Sequence, residues 1–306
     1  MSTFSAHWLS LREPADRAAR STAVTECAVA QVAARGSAPV RVLDLATGTG
    51  ANVRFLAPLL SMPQQWRVVD RDVDLLAALP QHVAAWALAR GCRVSGDAGG
   101  FSVRSDGTEW LIEPRAVDLS TLTRAGVATS THGRRDCGAL FGDRGLVTAS
   151  ALLDLVSERW LQVLVDRCRA TGAVGLFSLT YDGRMSCEPV DADDEFIRER
   201  VNRHQRRAKG FGRALGPDAT ACAERSFRDA GYDVRIGPSD WILTPRQSAL
   251  QEQLIAGWAT AAAEIDARDR NRVAAWQARR FEHLAAGRSH VRVGHQDLVA
   301  WPRSRE

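Results

Sequence analysis

Residues 39–56 constrain the fold more than any other stretch, because they join a short apolar run, a turn of small residues and the start of a helix. The run Val40–Leu45 is rich in β-branched and apolar residues, which predicts a buried parallel strand. The turn is Ala46–Gly50, and the apolar spacing after it predicts a helix from Ala51. This order predicts an α/β fold whose backbone approaches the phosphate or sugar of a nucleotide-like ligand.

The identity of that ligand depends on the glycine spacing. The dinucleotide fingerprint needs glycine or alanine where this chain has Val53, and the phosphate loop G-x-x-x-x-G-K-[ST] is absent from the sequence. The pattern Asp44-x-Ala46-x-Gly48-x-Gly50 instead resembles motif I of the class I S-adenosylmethionine (SAM) dependent methyltransferases. A glycine-rich turn of some other α/β protein is the alternative.

The resemblance implies a fold and a cofactor. The fold is α/β, a seven-stranded Rossmann-like doubly wound sheet with an antiparallel last strand, here with an N-terminal helical arm and an appended helical pair. The cofactor is SAM, and the resemblance places the Asp44 carboxylate near its amino-acid part. The chain is similar to bacterial members of the family that have no assigned substrate.

A second strand, 65–70, ends in a carboxylate. Asp70 lies 20 residues after Gly50, and an acid at that spacing can accept hydrogen bonds from two ribose hydroxyls. Asp72 and Asp74 compete for this role, but one of them is expected to cap the helix predicted over 73–90.

Two later segments complete the expected cofactor site. Residues 116–119 resemble the segment where the family reads adenine, and Asp118 could accept from the adenine amino group or cap a helix over 119–125. A fourth strand, 145–150, resembles the strand whose end faces the transferable methyl group. The expected cofactor-binding residues are Asp44, Ala46, Thr47, Gly48, Gly50, Asn52, Asp70, Arg71, Asp118, Leu119 and Ser150.

Three polar residues are candidates for catalysis. Asp154 follows the fourth strand, beside the expected methyl site. Tyr181 follows the fifth strand, predicted over 173–180, where its ring could hold a charged sulfur by cation–π attraction. His204 is the one plausible general base of a charged helix expected over 191–209. Asp154 as a satisfied turn residue and Tyr181 as a packing residue are the alternatives.

The N-terminal arm, residues 1–38, is expected to form a helix that starts near Pro14 and runs through Ala34. Its Trp, Arg and Asp residues recur at spacings of four, which predicts either a lid over the cofactor or an exposed amphipathic helix. The basic run 204–216 carries glycines on both sides of Phe211 and predicts either a hinged loop or a solvated face. The expected substrate-binding residues are Trp8, Arg12, Arg20, Arg184, Arg207, Lys209 and Trp241.

The domain organisation follows from these segments. Residues 1–38 form the arm, and 39–306 form the SAM-binding domain with inserts at about 92–113, 189–216 and 245–287. The first insert is predicted to be a β-hairpin turning at Asp106-Gly107, and the last contains two helices, 246–264 and 266–286. The strand over 288–301 is expected to be the antiparallel seventh strand and the edge of the sheet.

Composition limits the partners. The 306 residues are 45% hydrophobic, enough for a sizeable core, and 40 basic against 36 acidic residues give too small a net charge to indicate nucleic acid. The six cysteines include no C-x-x-C pair, so no metal site is expected and reduced thiols are the simplest interpretation. Without an apolar run of 18 residues or a signal-peptide pattern, we expect a cytoplasmic protein with no membrane partner.

The function expected from the resemblance is methyl transfer from SAM to a small metabolite that carries an anionic group. One alternative is a SAM-consuming enzyme that does not methylate, such as a cyclase forming azetidine-2-carboxylate with release of methylthioadenosine. A SAM-binding protein without turnover is the other. No Asn/Asp-Pro-Pro-Tyr/Phe tetrapeptide follows the fourth strand, which argues against a nucleic acid substrate, and a homodimer is left open.

Overall fold

The computed structural model describes residues 5–97, 99–105, 107–124 and 140–303. Its strands are β1 Val40–Leu45, β2 Gln64–Asp70, β3 Arg93–Asp97, β4 Gly100–Ser105, β5 Thr108–Ala116, β6 Leu146–Ser150, β7 Val174–Glu188, β8 Tyr232–Pro238, β9 Trp241–Leu243 and β10 His290–Pro302. Its helices are α1 Ala6–Ala19, α2 Thr22–Ala34, α3 Ala51–Leu56, α4 Val73–Leu88, α5 Glu158–Thr171, α6 Asp194–Gln205, α7 Ala219–Asp229, α8 Ser248–Ala263 and α9 Arg270–Ala285.

All these strands form one sheet in the order β3-β4-β5-β2-β1-β6-β7-β10-β8, with β9 paired to β10. The strands β5, β2, β1, β6 and β7 pair in parallel, and β10 is antiparallel to β7, β8 and β9. Without the β3–β4 hairpin and β9, this is a seven-stranded doubly wound sheet with an antiparallel last strand, so the predicted fold class is confirmed. The order reverses between β1 and β6, and such a reversal opens a crevice at the carboxyl ends of the strands.

Two predictions about the sheet are wrong in detail. The last strand, β10, is not the edge, because it pairs with β7 on one side and with β8 on the other. The expected hairpin insert over 92–113 does exist as β4 paired to β5, but β5 also pairs in parallel with β2 along its length. The third strand of the fold therefore doubles as the second strand of the hairpin. Asp106, in the predicted turn, lies outside the described residues.

The fifth strand of the fold, β7, is much longer than predicted. It was expected to end at Thr180 but continues to Glu188, paired with β10 as far as His290. This long antiparallel ribbon supports α6, α8 and α9, which bury a core of their own around Trp258 and Trp276. The charged helix is shorter than predicted, Asp194–Gln205, and buries Ile197 and Val201 while Phe196 is half-buried.

The N-terminal region contains two helices where one was predicted. α1 begins at Ala6, not near Pro14, because the Ser5 hydroxyl accepts a hydrogen bond from the backbone N–H of Trp8 at 3.1 Å and caps it. The chain turns at Ser21, whose N–H donates to the buried Asp297 carboxylate at 2.9 Å. α2 then packs its valines against β7 and β10 in the core of the sheet. The separation of residues 1–38 as an arm stays a prediction.

The two faces of the sheet have different helical layers. α5 and α7 cover one face, and α2, α3 and α4 cover the other. No helix within the described ranges is both long and apolar enough to span a bilayer.

Candidate functional site

A cavity of about 1010 Å³ opens at the carboxyl ends of β1, β2, β5 and β6. We call the wall formed by the loops after these strands the strand side. The opposite wall, the helix side, is formed by α1, by α8 and by residues 201–211. A cavity of this size holds a nucleotide-like molecule and a small partner together.

The glycine turn forms the floor of the strand side. Gly48 and Gly50 have φ of 55° and 81°, values that only glycine adopts without strain. A Cβ on Gly48 would lie 2.8 Å from the Leu9 side chain of α1, so the first helix presses directly on the turn. Gly48 lines the cavity, whereas Gly50 faces Leu79 and Val83 of α4 and shapes the turn from behind.

Asp44 is fully buried at the end of β1 and is held by its own turn. Its two carboxylate oxygens accept hydrogen bonds from the Thr47 hydroxyl at 2.6 Å and from the Asn52 amide at 2.8 Å. Burial raises the pKa of Asp44 to about 6, and these two hydrogen bonds oppose that rise. The result is a carboxyl group on the cavity wall that changes charge just below neutral pH.

Asp70 ends β2 and faces the same turn. One of its oxygens accepts from the backbone N–H of Gly48 at 2.9 Å, and the other accepts from the N–H of Asp72 at 3.0 Å. A carboxylate oxygen has room for a second donor, so both oxygens can still receive a ligand hydroxyl. Asp72 caps α4 through Asp74 and Leu75, as the sequence predicted for one of the two competing acids.

The segment after β5 supplies the next part of the strand side. Val117, Asp118 and Leu119 line the cavity. One Asp118 oxygen accepts from the N–H of Ser120 at 2.9 Å and caps the short 3₁₀ helix Leu119–Arg124. The capping alternative is therefore observed, and the second Asp118 oxygen has no partner among the described residues.

A buried ion pair fixes α1 over the glycine turn. Arg54 of α3 is 2% exposed and donates to both carboxylate oxygens of Glu13, with Nε–Oε1 at 2.8 Å. A third hydrogen bond runs from its Nη1 to the Thr49 carbonyl at 2.6 Å. The contact ties the N-terminal helix to the loop that the sequence motif defines.

Arg20 lies behind the strand side, at the junction of α1 and α2. Its Nη2 donates to the Asn52 side-chain oxygen at 3.0 Å and to the Ser150 hydroxyl at 3.2 Å. The guanidinium stacks over Phe55 at 4.7 Å and is almost fully buried, which lowers its pKa. Arg20 therefore supports two cavity-lining residues and does not itself line the cavity, unlike the substrate-binding role predicted for it.

Arg12 and Trp241 form one cluster around Asp16. Arg12 makes a bidentate pair with the Asp16 carboxylate at 2.9 and 3.1 Å, and the Trp241 indole donates to the same group at 3.0 Å. Arg12 and Asp16 line the cavity, while Trp241 is buried behind them. The charge of Arg12 is thus already paired.

The helix side is mostly apolar. Its apolar wall is formed by Trp8 of α1, Phe211, and Leu254 and Trp258 of α8. Phe211 is fixed edge-on against Trp160 at 5.6 Å. The Trp8 indole nitrogen is buried without a hydrogen-bond partner in the described part of the chain.

No residue of α8 was assigned to the site from the sequence. The residues it contributes are Gln253, Leu254, Gly257, Trp258, Ala261 and, just past its end, Glu264. Gly257 was the available signal, because glycine inside a helix costs about 1 kcal/mol relative to alanine, and a Cβ at this position would meet no described atom within 4 Å. The stripe through Leu254 and Trp258 was recognised, but as packing.

Glu264, His204 and Lys209 form a hydrogen-bonded row on the helix side. His204 Nε2 lies 2.9 Å from a Glu264 oxygen, and His204 Nδ1 lies 3.2 Å from Lys209 Nζ. A carboxylate only accepts and an ammonium only donates, so this geometry places the proton on Nε2 and the lone pair on Nδ1. Burial, then the neighbouring Lys209 charge, lowers the pKa of His204.

The other two catalytic candidates do not line the cavity. Tyr181 donates its hydroxyl to the Asn202 side-chain oxygen at 2.8 Å, and burial raises its pKa. Asp154 is buried, with one oxygen lacking a partner among the described residues. Burial raises the pKa of Asp154 to about 6.

Two predicted substrate-binding arginines also lie outside the cavity. Arg184 belongs to β7, is 54% exposed and pairs with Asp182 and Asp240. Arg207 is 47% exposed and donates to the Glu264 carbonyl at 2.9 Å. Of the five basic residues predicted to bind substrate, Arg12 and Lys209 line the cavity, and the other three do not.

The cavity wall is acidic on balance. Among the described residues that line it, six carboxylates face three cations. The carboxylates are Asp16, Asp44, Asp70, Asp72, Asp118 and Glu264, and the cations are Arg12, Arg71 and Lys209. Such a wall favours a ligand with net positive charge.

No protein-family model and no curated protein matches the chain. Among solved structures, it is similar to a SAM-dependent methyltransferase from Geobacter sulfurreducens in complex with S-adenosyl-L-homocysteine, at 16% identity and a TM-score of 0.43, covering 99% of this chain and 100% of that chain. It is also similar to the cyclopropane synthase MmaA2 from Mycobacterium tuberculosis, at 10% identity and a TM-score of 0.46, covering 97% and 94%. The similarity is one of fold.

Proposed function

We propose that the chain binds SAM in this cavity and transfers its methyl group to a small molecule. The observation that carries the proposal is the position of Asp70, which lines the cavity at the end of β2 while one of its oxygens holds the glycine turn through Gly48. A diol bound there would donate charge-assisted hydrogen bonds to this carboxylate, which is how a ribose would be held.

The strand side would hold the rest of SAM. Asp118 and Leu119 lie where the adenine would bind, and Asp44 with its Thr47 and Asn52 partners lies where the amino-acid part would bind. SAM supplies a methyl group on a positively charged sulfur, which a nucleophile can attack in line. The chain supplies proximity and a largely apolar wall that excludes water.

The acceptor would occupy the helix side, between α8 and the residues around Phe211. The sequence suggested an acceptor with an anionic group, but the paired state of Arg12 and the acidic wall do not support it. We propose instead an acceptor without net negative charge, with an apolar skeleton that packs on Trp8 and Trp258.

Calorimetry tests the cofactor part. We expect S-adenosylhomocysteine to bind, and Asp70→Ala to weaken binding by about 1.5–3 kcal/mol, the range for a hydrogen bond to a charged group. Asp74→Ala is the matched control, since Asp74 is an exposed acid four residues away that does not line the cavity. Unchanged affinity in Asp70→Ala would remove Asp70 from the site, and tight NADH binding would overturn the proposal.

Mass spectrometry of SAM incubated with the protein and a metabolite mixture tests the reaction. The proposal requires S-adenosylhomocysteine as product. Methylthioadenosine would indicate cyclisation of the aminobutyrate arm, and binding without any product would indicate a non-catalytic SAM-binding protein.

A further inference from the structure

Lys209 is the one lysine among the 40 basic residues of the chain. Where only positive charge is needed, this sequence uses arginine. Arginine keeps its proton at every relevant pH, whereas an amine can release one. A lone lysine on the cavity wall therefore indicates a position where a titratable amine matters.

The fold delivers this amine to the cavity on a hydrogen-bonded hairpin. Residues 207–214 form a small hairpin, with Ala214 N–H donating to the Arg207 carbonyl at 3.3 Å and Lys209 N–H donating to the Gly212 carbonyl at 3.2 Å. Phe211 of this hairpin bridges to Val156, in the segment that follows β6. The hairpin that carries Lys209 is thus joined to the segment after β6, and the methyl group would lie beside the end of β6.

The amine is also oriented. His204 Nδ1 accepts from Lys209 Nζ, and Glu264 fixes the tautomer that leaves this lone pair available. The same geometry removes His204 as the base, because its free lone pair points at Lys209 and its N–H points at Glu264. His204 is therefore a positioning residue for the amine.

Charged groups from three segments face Lys209. Burial and the adjacent Arg207 lower its pKa, while Glu264 at the end of α8 and Asp154 after β6 raise it, and lowering prevails. A larger share of Lys209 is therefore neutral near physiological pH than of an exposed lysine.

We propose that Lys209, not His204, takes the proton from the methyl acceptor, and that the acceptor carries a hydroxyl on an apolar skeleton. The inference rests on the proposed methyl transfer. As the acceptor oxygen forms its bond to the methyl carbon, the carbon–sulfur bond breaks with its electron pair staying on sulfur. The neutral amine of Lys209 takes the hydroxyl proton and becomes an ammonium, which gives that proton to water after the ether has left.

Because Lys209 is the only lysine, its amine can be observed alone. Reductive methylation with ¹³C-formaldehyde labels Lys209 and the chain N-terminus, and Lys209→Arg identifies the Lys209 resonance by its loss. The substitution Arg213→Lys places a reference amine on the exposed strand of the same hairpin. We expect Lys209 to titrate below the ordinary pKa of 10.5 and below this reference amine. Titration at or above the reference would overturn the proposal.

Binding of S-adenosylhomocysteine distinguishes the role of Lys209 from the proposed methyl transfer on which it rests. In protein that binds S-adenosylhomocysteine by calorimetry, saturation should shift the Lys209 resonance and leave the reference unchanged. An unresponsive Lys209 in such protein would overturn the role of Lys209 alone. Absence of S-adenosylhomocysteine binding would instead overturn the proposed function, whatever the amine titration shows.

Once an acceptor is identified, turnover measurements test the role of Lys209 in the reaction itself. Lys209→Arg keeps the charge but cannot accept a proton, so kcat should fall about 100-fold or more while the affinity for S-adenosylhomocysteine stays the same. In the wild type, kcat/KM should rise with pH up to the titration point measured by NMR. A Lys209→Arg enzyme within about threefold of wild type would contradict the proposal.

Discussion

The strand side and the helix side of the cavity are built in different ways. On the strand side, the acids are held by groups within about 20 residues, as Asp44 is by Thr47 and Asn52 and Asp70 is by Gly48, 22 residues before it. On the helix side, the Glu264–His204 contact joins residues 60 apart, and Trp8 and Trp258 line the same wall although most of the chain lies between them. A short sequence can specify the first wall, whereas only the completed fold assembles the second.

This difference predicts how substitutions should divide. Changes on the strand side should alter cofactor affinity, and changes on the helix side should alter turnover with little effect on cofactor affinity. α1 is the exception, since Glu13 links it to the glycine turn while Trp8 belongs to the helix side.

Arg54→Ala should have the largest effect. It leaves the Glu13 carboxylate without its partner in a largely buried position, and breaking a buried pair costs about 3–5 kcal/mol of unfolding free energy. Urea denaturation measures the loss. Arg41→Ala is the control, because the Arg41–Asp143 pair is exposed and should contribute no more than about 1 kcal/mol. Equal losses of unfolding free energy in the two variants would show that the Arg54–Glu13 pair stabilises the fold no more than an exposed ion pair does.

The pH dependence of binding should come from Asp44. A SAM ammonium beside Asp44 requires the ionised carboxylate, whose pKa is about 6, so affinity should weaken by up to about tenfold per pH unit below that value. Calorimetry with SAM between pH 5 and 7 measures this. Because the pKa of Asp44 is higher in the folded state than in the unfolded state, its protonation raises the free energy of unfolding as the pH falls. Asp44 therefore does not cause unfolding in acid.

Two variants identify the source of that pH dependence. Asp44→Asn should remove it. Asp154→Asn should retain it, although burial gives Asp154 a similar pKa of about 6, because Asp154 does not line the cavity. The reverse pattern would place the SAM amino group away from Asp44.

Closure of the cavity can be measured at a single peptide bond, because a lysine-specific protease has one site in this chain, after Lys209. If the 207–214 hairpin is part of a lid, bound S-adenosylhomocysteine should slow cleavage by about tenfold. The reason is that the ligand raises the free energy needed to open the hairpin, and the protease cleaves only the open form. The same hydrogen bonds that shape the hairpin are present without ligand, so equal cleavage rates would mean that it is a fixed wall.

The smallest effect is expected at Gln253. It is exposed on α8 and lines the helix side, so Gln253→Ala should change unfolding free energy by less than about 0.5 kcal/mol and cofactor affinity by less than about twofold. A large loss of S-adenosylhomocysteine affinity would move the cofactor to the helix side and reverse the division between the two walls.

The sequence was sufficient for the strand side because its signals are local. A β-branched run, a glycine turn and an acid at the end of the next strand predicted where Asp44 and Asp70 lie, and the fold class followed from the same pattern. The roles of these residues toward SAM stay predictions.

The helix side could not be predicted because it depends on the length of one ribbon. β7 continues through Tyr181 and Arg184 as a strand, which moves both residues out of the cavity and places α8 over it. Pairing with β10, more than 100 residues later, decides that length. The early start of α1 likewise depends on the Ser5 cap, whereas Pro14 suggested a later one.

A crystal structure of the protein with S-adenosylhomocysteine tests the central claim most directly. Our account predicts the ribose hydroxyls on the Asp70 carboxylate, the adenine beside Asp118 and Leu119, and the sulfur directed toward the helix side. S-adenosylhomocysteine bound with its ribose away from Asp70, or bound between α8 and the 207–214 hairpin, would contradict it.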